Sequence, residues 1–226
     1  MSEYKFVEKP FLDQLSALDW TVIDQGPDIP SDPSVSLRET FHQVTLDETF
    51  RDAVKRINVT DDGRLWLNDK QLDKLLADLK SQSGNSLREI NEKIQAMLYR
   101  AQVDQNELTG EEDPNVFLID FKNPENNSFH AINQFRVQTP GCVKSFIIPD
   151  IVLFINGLPV VVIECKDLTA HEANPMAEAF KQLMRYSDQR EETKKAGLKE
   201  GSPRLFHSNQ FIIRTCLLYT SDAADE

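Results

Sequence analysis

Asp150, Glu164 and Lys166 interrupt a stretch that is otherwise almost wholly apolar, PDIVLFINGLPVVVIECKD from Pro149 to Asp167. Strands this apolar are buried on both faces, where a charge is costly unless it is paired or holds a metal. Glu164 and Lys166 are two apart and leave the same face of a strand, while Cys165 leaves the other. Two acids and a lysine converging at the end of a hairpin make a site for one or two hard cations with a fixed positive charge alongside. Two carboxylates suit Mg²⁺, which prefers oxygen ligands and keeps several waters. Such an ion lowers the pKa of a bound water and neutralises charge on a scissile phosphate. The lysine can hold the attacking water or stabilise phosphorane-like charge. The chemistry indicated is phosphodiester hydrolysis. A buried Glu164–Lys166 or Asp150–Lys166 ion pair without catalysis would use the same residues, but their setting inside an apolar hairpin favours a site.

The hairpin itself sets a condition. Its arms are Ile151 to Ile155 and Val160 to Ile163, joined by Asn156-Gly157, a strong short-range turn signal. With a two-residue turn, Asp150 falls opposite Ile163 and faces away from Glu164. A three-residue loop, Asn156 to Leu158, or a bulge near Pro149 restores the parity. One of these is expected.

The elements that must position this hairpin are read from periodicity. Residues 8–18 predict a short helix with Phe11, Leu12, Leu15 and Leu18 inward and Pro10 in its first turn. Glu8 there is read as complementing the helix dipole, with a lean toward the site as the alternative. Asp24 to Pro33 is a Pro- and Asp-rich loop. Further helices are expected over Leu46–Ile57, Asn68–Lys80 (Leu72, Leu75, Leu76 and Leu79 inward, capped by Asn68 or Asp69) and Asn85–Ala101. Their stripes read as core. An acidic loop, 104–115, follows. Val116–Phe121 and Phe129–Val137 predict strands around a turn at Asn123–Asn127. Past the site, His171 reads as a surface or capping residue. Met176–Arg190 predicts a helix with Met176, Ala179, Phe180 and Leu183 inward, and Gln182 and Tyr186 sharing one face. Glu191–Pro203 is a polar connection whose Lys194, Lys195 and Lys199 form a small basic cluster able to touch phosphates. Arg204–Thr215 predicts a last strand.

At 226 residues, 40% hydrophobic and 27% charged, the chain has the length and composition of a folded globular protein. No apolar run approaches a membrane span and the N-terminus lacks the apolar centre of a signal peptide, so a cytoplasmic setting is the expectation. The three cysteines form no CxxC or Cys/His cluster. A net charge of −12 argues against simple DNA binding, which needs Lys and Arg against phosphates. A nuclease of this charge would rely on other domains or subunits to hold DNA, although solvated acidic helix faces account for the charge equally well.

At LIDFKNPENNSFHAINQFRV (118–137), PDIVLFINGLPVVVIECK (149–166) and RLFHSNQFIIRT (204–215) the sequence resembles the N-terminal nuclease region of the R subunit of type I restriction enzymes. The resemblance covers about residues 8–215. It implies an α/β restriction-endonuclease-like PD-(D/E)xK fold, a central mixed sheet flanked by helices, over 1–215. The helical part would run from about 8 to 103 and the β-rich catalytic part from about 116 to 215. Asp150, Glu164 and Lys166 carry the motif, with Asp150 and Glu164 as Mg²⁺ ligands; Cys165 stands where the family usually has Leu. Gln182 and Tyr186 match a QxxxY element implied to orient the site or touch the DNA backbone, though a tyrosine half-packed at a helix edge explains them nearly as well. Asn126, Asn127 and Gln134 match recurring positions, as neutral donors able to hold DNA phosphates or, the reading preferred here, as residues satisfying backbone groups in turns.

The implied activity is cleavage of double-stranded DNA within an ATP-driven complex with modification (M) and specificity (S) subunits. ATP would be bound in motor domains outside this chain, which has no GxxxxGK[ST]. A standalone metal-dependent nuclease and an inactive docking module are the competing readings. The string CLLYTSDAADE at 216–226 resembles a translated sequencing adapter and is set aside as non-native, with the natural protein expected to continue past about residue 215.

Overall fold

Apolar residues at helical spacing build the main helices of the first half of the chain. The computed structural model describes residues 3–167 and 174–216; His171 and residues 217–226 therefore lie outside the described residues. A π-helical turn, Tyr4–Glu8, runs into α1 (Lys9–Ala17) with Pro10 in its first turn. Leu12 and Leu15 are buried as expected, but Leu18 lies past the helix end and is 70% exposed. β1 (Thr21–Ile23) is a short strand the periodicity did not predict, being too brief to show alternation. Next come α2 (Asp47–Ile57), α3 (Asp69–Ser81) and α4 (Leu87–Tyr99). Asn68 and Gln71 form a reciprocal capping box on α3, and Ser86 caps α4. Leu72, Leu75, Leu76 and Leu79 are all buried, packed with Phe50, Val54, Ile94 and Leu98.

The expected strand over 116–121 is a correction. Only β3 (Asn115–Val116) is extended and paired there, with β2 (Ala101–Gln102). Leu118 and Ile119 are buried as core under the helices rather than in a sheet. The stretch 129–137 is likewise divided into β4 (Phe129–Asn133) and β5 (Val137–Gln138), and β5 pairs with β6 (Phe146–Ile147). Gln134 breaks the strand at φ 48°.

The central sheet is mixed. β7 (Ile151–Ile155) and β8 (Leu158–Lys166) form its middle, α5 (Pro175–Tyr186) and the short α6 (Glu191–Lys195) follow, and β9 (Phe211–Cys216) ends it. Among the described residues the order is β1-β4-β7-β8-β9, with β1 parallel to β4, β8 parallel to β9, and antiparallel pairs between. Residues 203–206 are a 3-10 turn, so the last strand is shorter than expected and reaches Cys216, whose backbone pairs with Lys166. One face of the sheet packs Ala131, Ile151, Leu153, Ile163 and Cys165 against Val7, Leu12 and Leu15. The other packs Ile132, Val152, Phe154 and Val162 against Leu183 and Tyr186 of α5 with Leu205 and Phe206. Phe180, expected inward, is 44% exposed. No helix among the described residues is long and apolar enough to cross a membrane.

Candidate functional site

The turn joining β7 to β8 is the two-residue one, with Asn156 and Gly157 at φ 49° and 77°, both positive as a type I′ turn demands. A Cβ on Gly157 would run into the Leu46 carbonyl and Phe50, so glycine is required by space as well as by φ. Asn156 is fully buried. It accepts from the Ser128 N–H at 2.7 Å and donates to the Leu118 carbonyl at 2.9 Å and Asn127 Oδ1 at 2.8 Å. Asn127 in turn accepts from Asp120 N–H, and Asn126 donates to the Asp120 carboxylate. Asn126 and Asn127 thus serve the turn.

Parity is restored by a bulge, but in mid-hairpin rather than near Pro149. The register runs Ile155–Leu158 and Phe154–Pro159, then shifts to Leu153–Val161 and on to Ile151–Ile163, leaving Val160 as the extra residue. This shift brings Asp150 opposite Glu164, the condition the sequence imposed. Asp150 Oδ2 accepts from the Cys165 N–H at 2.6 Å, and Lys166 Nζ donates to Glu164 Oε1 at 3.0 Å. Asp150, Glu164 and Lys166 are all buried. Cys165 faces the α1 side, away from these charges, and burial pushes its thiol far up, out of reach of ionisation.

Two further acids join them. Glu8, on the π-turn ahead of α1, is 2% exposed and accepts from Gln134 Nε2 at 3.0 and 3.2 Å. Glu3 accepts from the Asp167 N–H at 3.2 Å and lies 3.8 Å from Lys166 Nζ. Glu3, Glu8 and Asp150 each offer a carboxylate oxygen within 4.8 Å of the others. The dipole reading of Glu8 therefore gives way to a place in the site. Glu8 ends a π-turn, which leaves no periodic signal in sequence.

The electrostatics follow from crowding acids out of water. Burial first, then Glu164 and Glu8, push the Asp150 carboxyl well above the aspartate range, against the Cys165 N–H and Lys166. Burial raises Glu164 to about 7 against the pull of Lys166. Burial also raises Glu8, while its hydrogen bonds from Gln134 and Asn133 pull it down. Burial works against the charge of Lys166, yet Glu164 and Asp150 outweigh it and hold the lysine above its ordinary range. Among the described residues, Glu164 Oε2 is buried with no hydrogen-bond partner. A buried, all-oxygen donor set with an orphaned carboxylate oxygen and too little positive charge fits a hard divalent cation.

Gln182 and Tyr186 support this end of the sheet. Tyr186 is buried and donates its hydroxyl to the Ile148 carbonyl at 3.0 Å, two residues before Asp150, while Gln182 Nε2 donates to Tyr186 Oη at 3.3 Å. Burial, followed by Glu164 and Asp150, pushes the Tyr186 hydroxyl well up, so it remains a donor. Arg185, missed in the sequence, adds a positive charge felt by Glu164. Lys194 and Lys195 lie exposed on α6, held by Gln189 and Glu191, and among the described residues neither pairs with a site residue.

Residues 1–215 match the protein family described as Type I restriction enzyme R protein N terminus. The chain is 30% identical over 187 residues to the type I restriction enzyme HindI endonuclease subunit of Haemophilus influenzae, covering 81% of this chain and 16% of that protein. It is also 36% identical over 98 residues, 43% of this chain and 8% of the relative, to a Methanocaldococcus jannaschii protein provisionally named the endonuclease subunit of type I restriction enzyme MjaVIIIP. The chain thus spans less than a fifth of the length of these relatives.

Proposed function

The chain belongs to the family of type I restriction enzyme R protein N termini, and from that premise we propose that it is the nuclease domain of an R subunit. In this reading the fold is the restriction-endonuclease-like PD-(D/E)xK fold and the reaction is Mg²⁺-dependent hydrolysis of double-stranded DNA. One observation carries it: a mid-hairpin bulge sets Asp150 opposite Glu164, two residues from Lys166, with Glu8 and Glu3 beside Asp150, inside a hairpin whose other strand side chains are apolar.

Asp150 and Glu164, joined by Glu8, would hold the ion. Magnesium, when bound, supplies charge neutralisation at the scissile phosphate and a more acidic water. Lys166 is fixed by Glu164 Oε1 at 3.0 Å and stays an ammonium at neutral pH, so it acts by donating hydrogen bonds and stabilising developing negative charge, not as a base. Cys165 N–H fixes one Asp150 oxygen and leaves the other for the ion. Tyr186 and Gln182 steady the chain entering Asp150.

ATP-driven translocation, and recognition of the DNA sequence by M and S subunits, belong to parts outside this chain, in a cytoplasmic complex. A net charge of −12 supports this division, since acids outnumber the cations that would meet DNA phosphates. Lys166→Ala in the reconstituted complex is expected to lower DNA cleavage at least about 100-fold while ATP-driven translocation continues. Loss of both activities defeats the division of labour. Unchanged cleavage makes the domain a docking module instead.

A further inference from the structure

Gln134 occupies a backbone conformation that glycine adopts freely and glutamine does not, at φ 48°. Such a residue persists where its surroundings over-determine it. They do so here. The Gln134 N–H donates to the Asp150 carbonyl at 2.8 Å, and the next N–H, of Phe135, donates to Pro149 at 3.0 Å. On the other side, Gln25 Nε2 donates to the Asn133 carbonyl at 2.7 Å and Gln25 N–H to Asn133 Oδ1 at 2.6 Å. The segment is pinned from both directions. From it the Gln134 amide reaches Glu8, one nitrogen spanning both carboxylate oxygens at 3.0 and 3.2 Å.

Resting on the nuclease reading above, we propose that Gln134 is a positioning residue that ties Glu8 to Asp150 as one cation-binding unit. Its main chain holds the Asp150 backbone and its side chain holds the Glu8 carboxylate, so two acids 142 residues apart in sequence are tied through one residue. The amide's chemistry suits the task. A neutral donor satisfies part of a buried carboxylate without cancelling its charge, whereas a lysine or arginine here would compete with the cation. Asparagine tolerates positive φ better but is one methylene too short to repeat the reach.

Glycine separates this role from a merely conformational one. If residue 134 only makes the turn, Gln134→Gly relieves the left-handed backbone and changes nothing else. If the amide positions Glu8, the variant stays folded, with a melting temperature close to wild type, yet binds Mn²⁺ about 10-fold more weakly or worse. The full chain is titrated with Mn²⁺, following the free-ion paramagnetic resonance signal, alongside thermal melting. Gln134→Asn is expected to show the same loss. In a Glu8→Gln background, Gln134→Gly is expected to weaken Mn²⁺ binding no further.

Wild-type Mn²⁺ affinity in Gln134→Gly, with binding abolished by Asp150→Asn, overturns the role of Gln134 and leaves the nuclease reading standing. Mn²⁺ binding unaffected by Asp150→Asn, or absent from the wild-type chain, overturns both.

Discussion

The helical layer and the β7–β8 hairpin solve opposite problems with the same core-forming residues. Around α3, each inward position is a leucine and the charges stay outside, paired across exposed contacts such as Arg51–Asp73 and Lys74–Asp104. In the hairpin, Asp150, Glu164 and Lys166 share the interior with Ile151, Val152, Val162 and Ile163, and Glu8 is buried beside Asp150. The first region spends nothing on chemistry and is there to stabilise. The second gives up stability to hold charges that burial alone would neutralise.

The contrast can be broken at either end. Phe50, fully buried between the helices and the hairpin turn, is the strongest test of the stabilising region: Phe50→Ala is expected to cost about 3–5 kcal/mol, read by chemical denaturation. Mn²⁺ affinity of the protein that remains folded should not change. A comparable loss of affinity would mean that the two regions are not separable.

The next effect, of opposite character, is pH-dependent. The Glu164 carboxyl is raised from 4.5 to about 7. In the absence of a divalent cation, its contribution is fully present below pH 4.5, where folded and unfolded chains are both protonated. It is lost as pH rises toward 7, because the unfolded chain ionises first. The loss is on the order of 3 kcal/mol. Asp150, raised by burial and by Glu164, acts in the same direction. His130 and His207, which burial lowers, act in the opposite direction, and both are shared by wild type and variant. Denaturation of wild type and Glu164→Gln from pH 4 to 8 should therefore show the variant gaining on wild type as pH rises. Parallel curves would remove Glu164 from the account.

The smallest effect sits where α5 packs behind the hairpin. Tyr186→Phe deletes one hydroxyl that donates to the Ile148 carbonyl and accepts from Gln182. It should cost about 1 kcal/mol and reduce cleavage by the assembled complex without affecting translocation. No loss of cleavage would reduce the pair to packing.

Legibility in the sequence divides along the same line. The four leucines of α3 and its Asn68 cap follow from spacing, because a local period maps onto burial when nothing else is asked of the residues. The apolar hairpin and its Asn156-Gly157 turn were equally plain, since both depend on neighbours in sequence. The strand expected over Val116–Phe121 failed because Leu118 and Ile119 are buried by helices, and an apolar run cannot say what covers it. Phe180 and Leu18 failed for a related reason: a helical stripe predicts a face, not how far the neighbouring layer extends.

By itself the sequence determined which charges interrupt the apolar hairpin, that parity required an irregularity, and the helices whose stripes are local. The tertiary structure alone decided where that irregularity lies, at Val160, and that Glu8 and Gln134 enter the site. Burial and pairing across more than a hundred residues are settled by packing, which no short-range pattern encodes. A strained φ at residue 134 and a π-turn before α1 are likewise tolerated only because the assembled layers hold them.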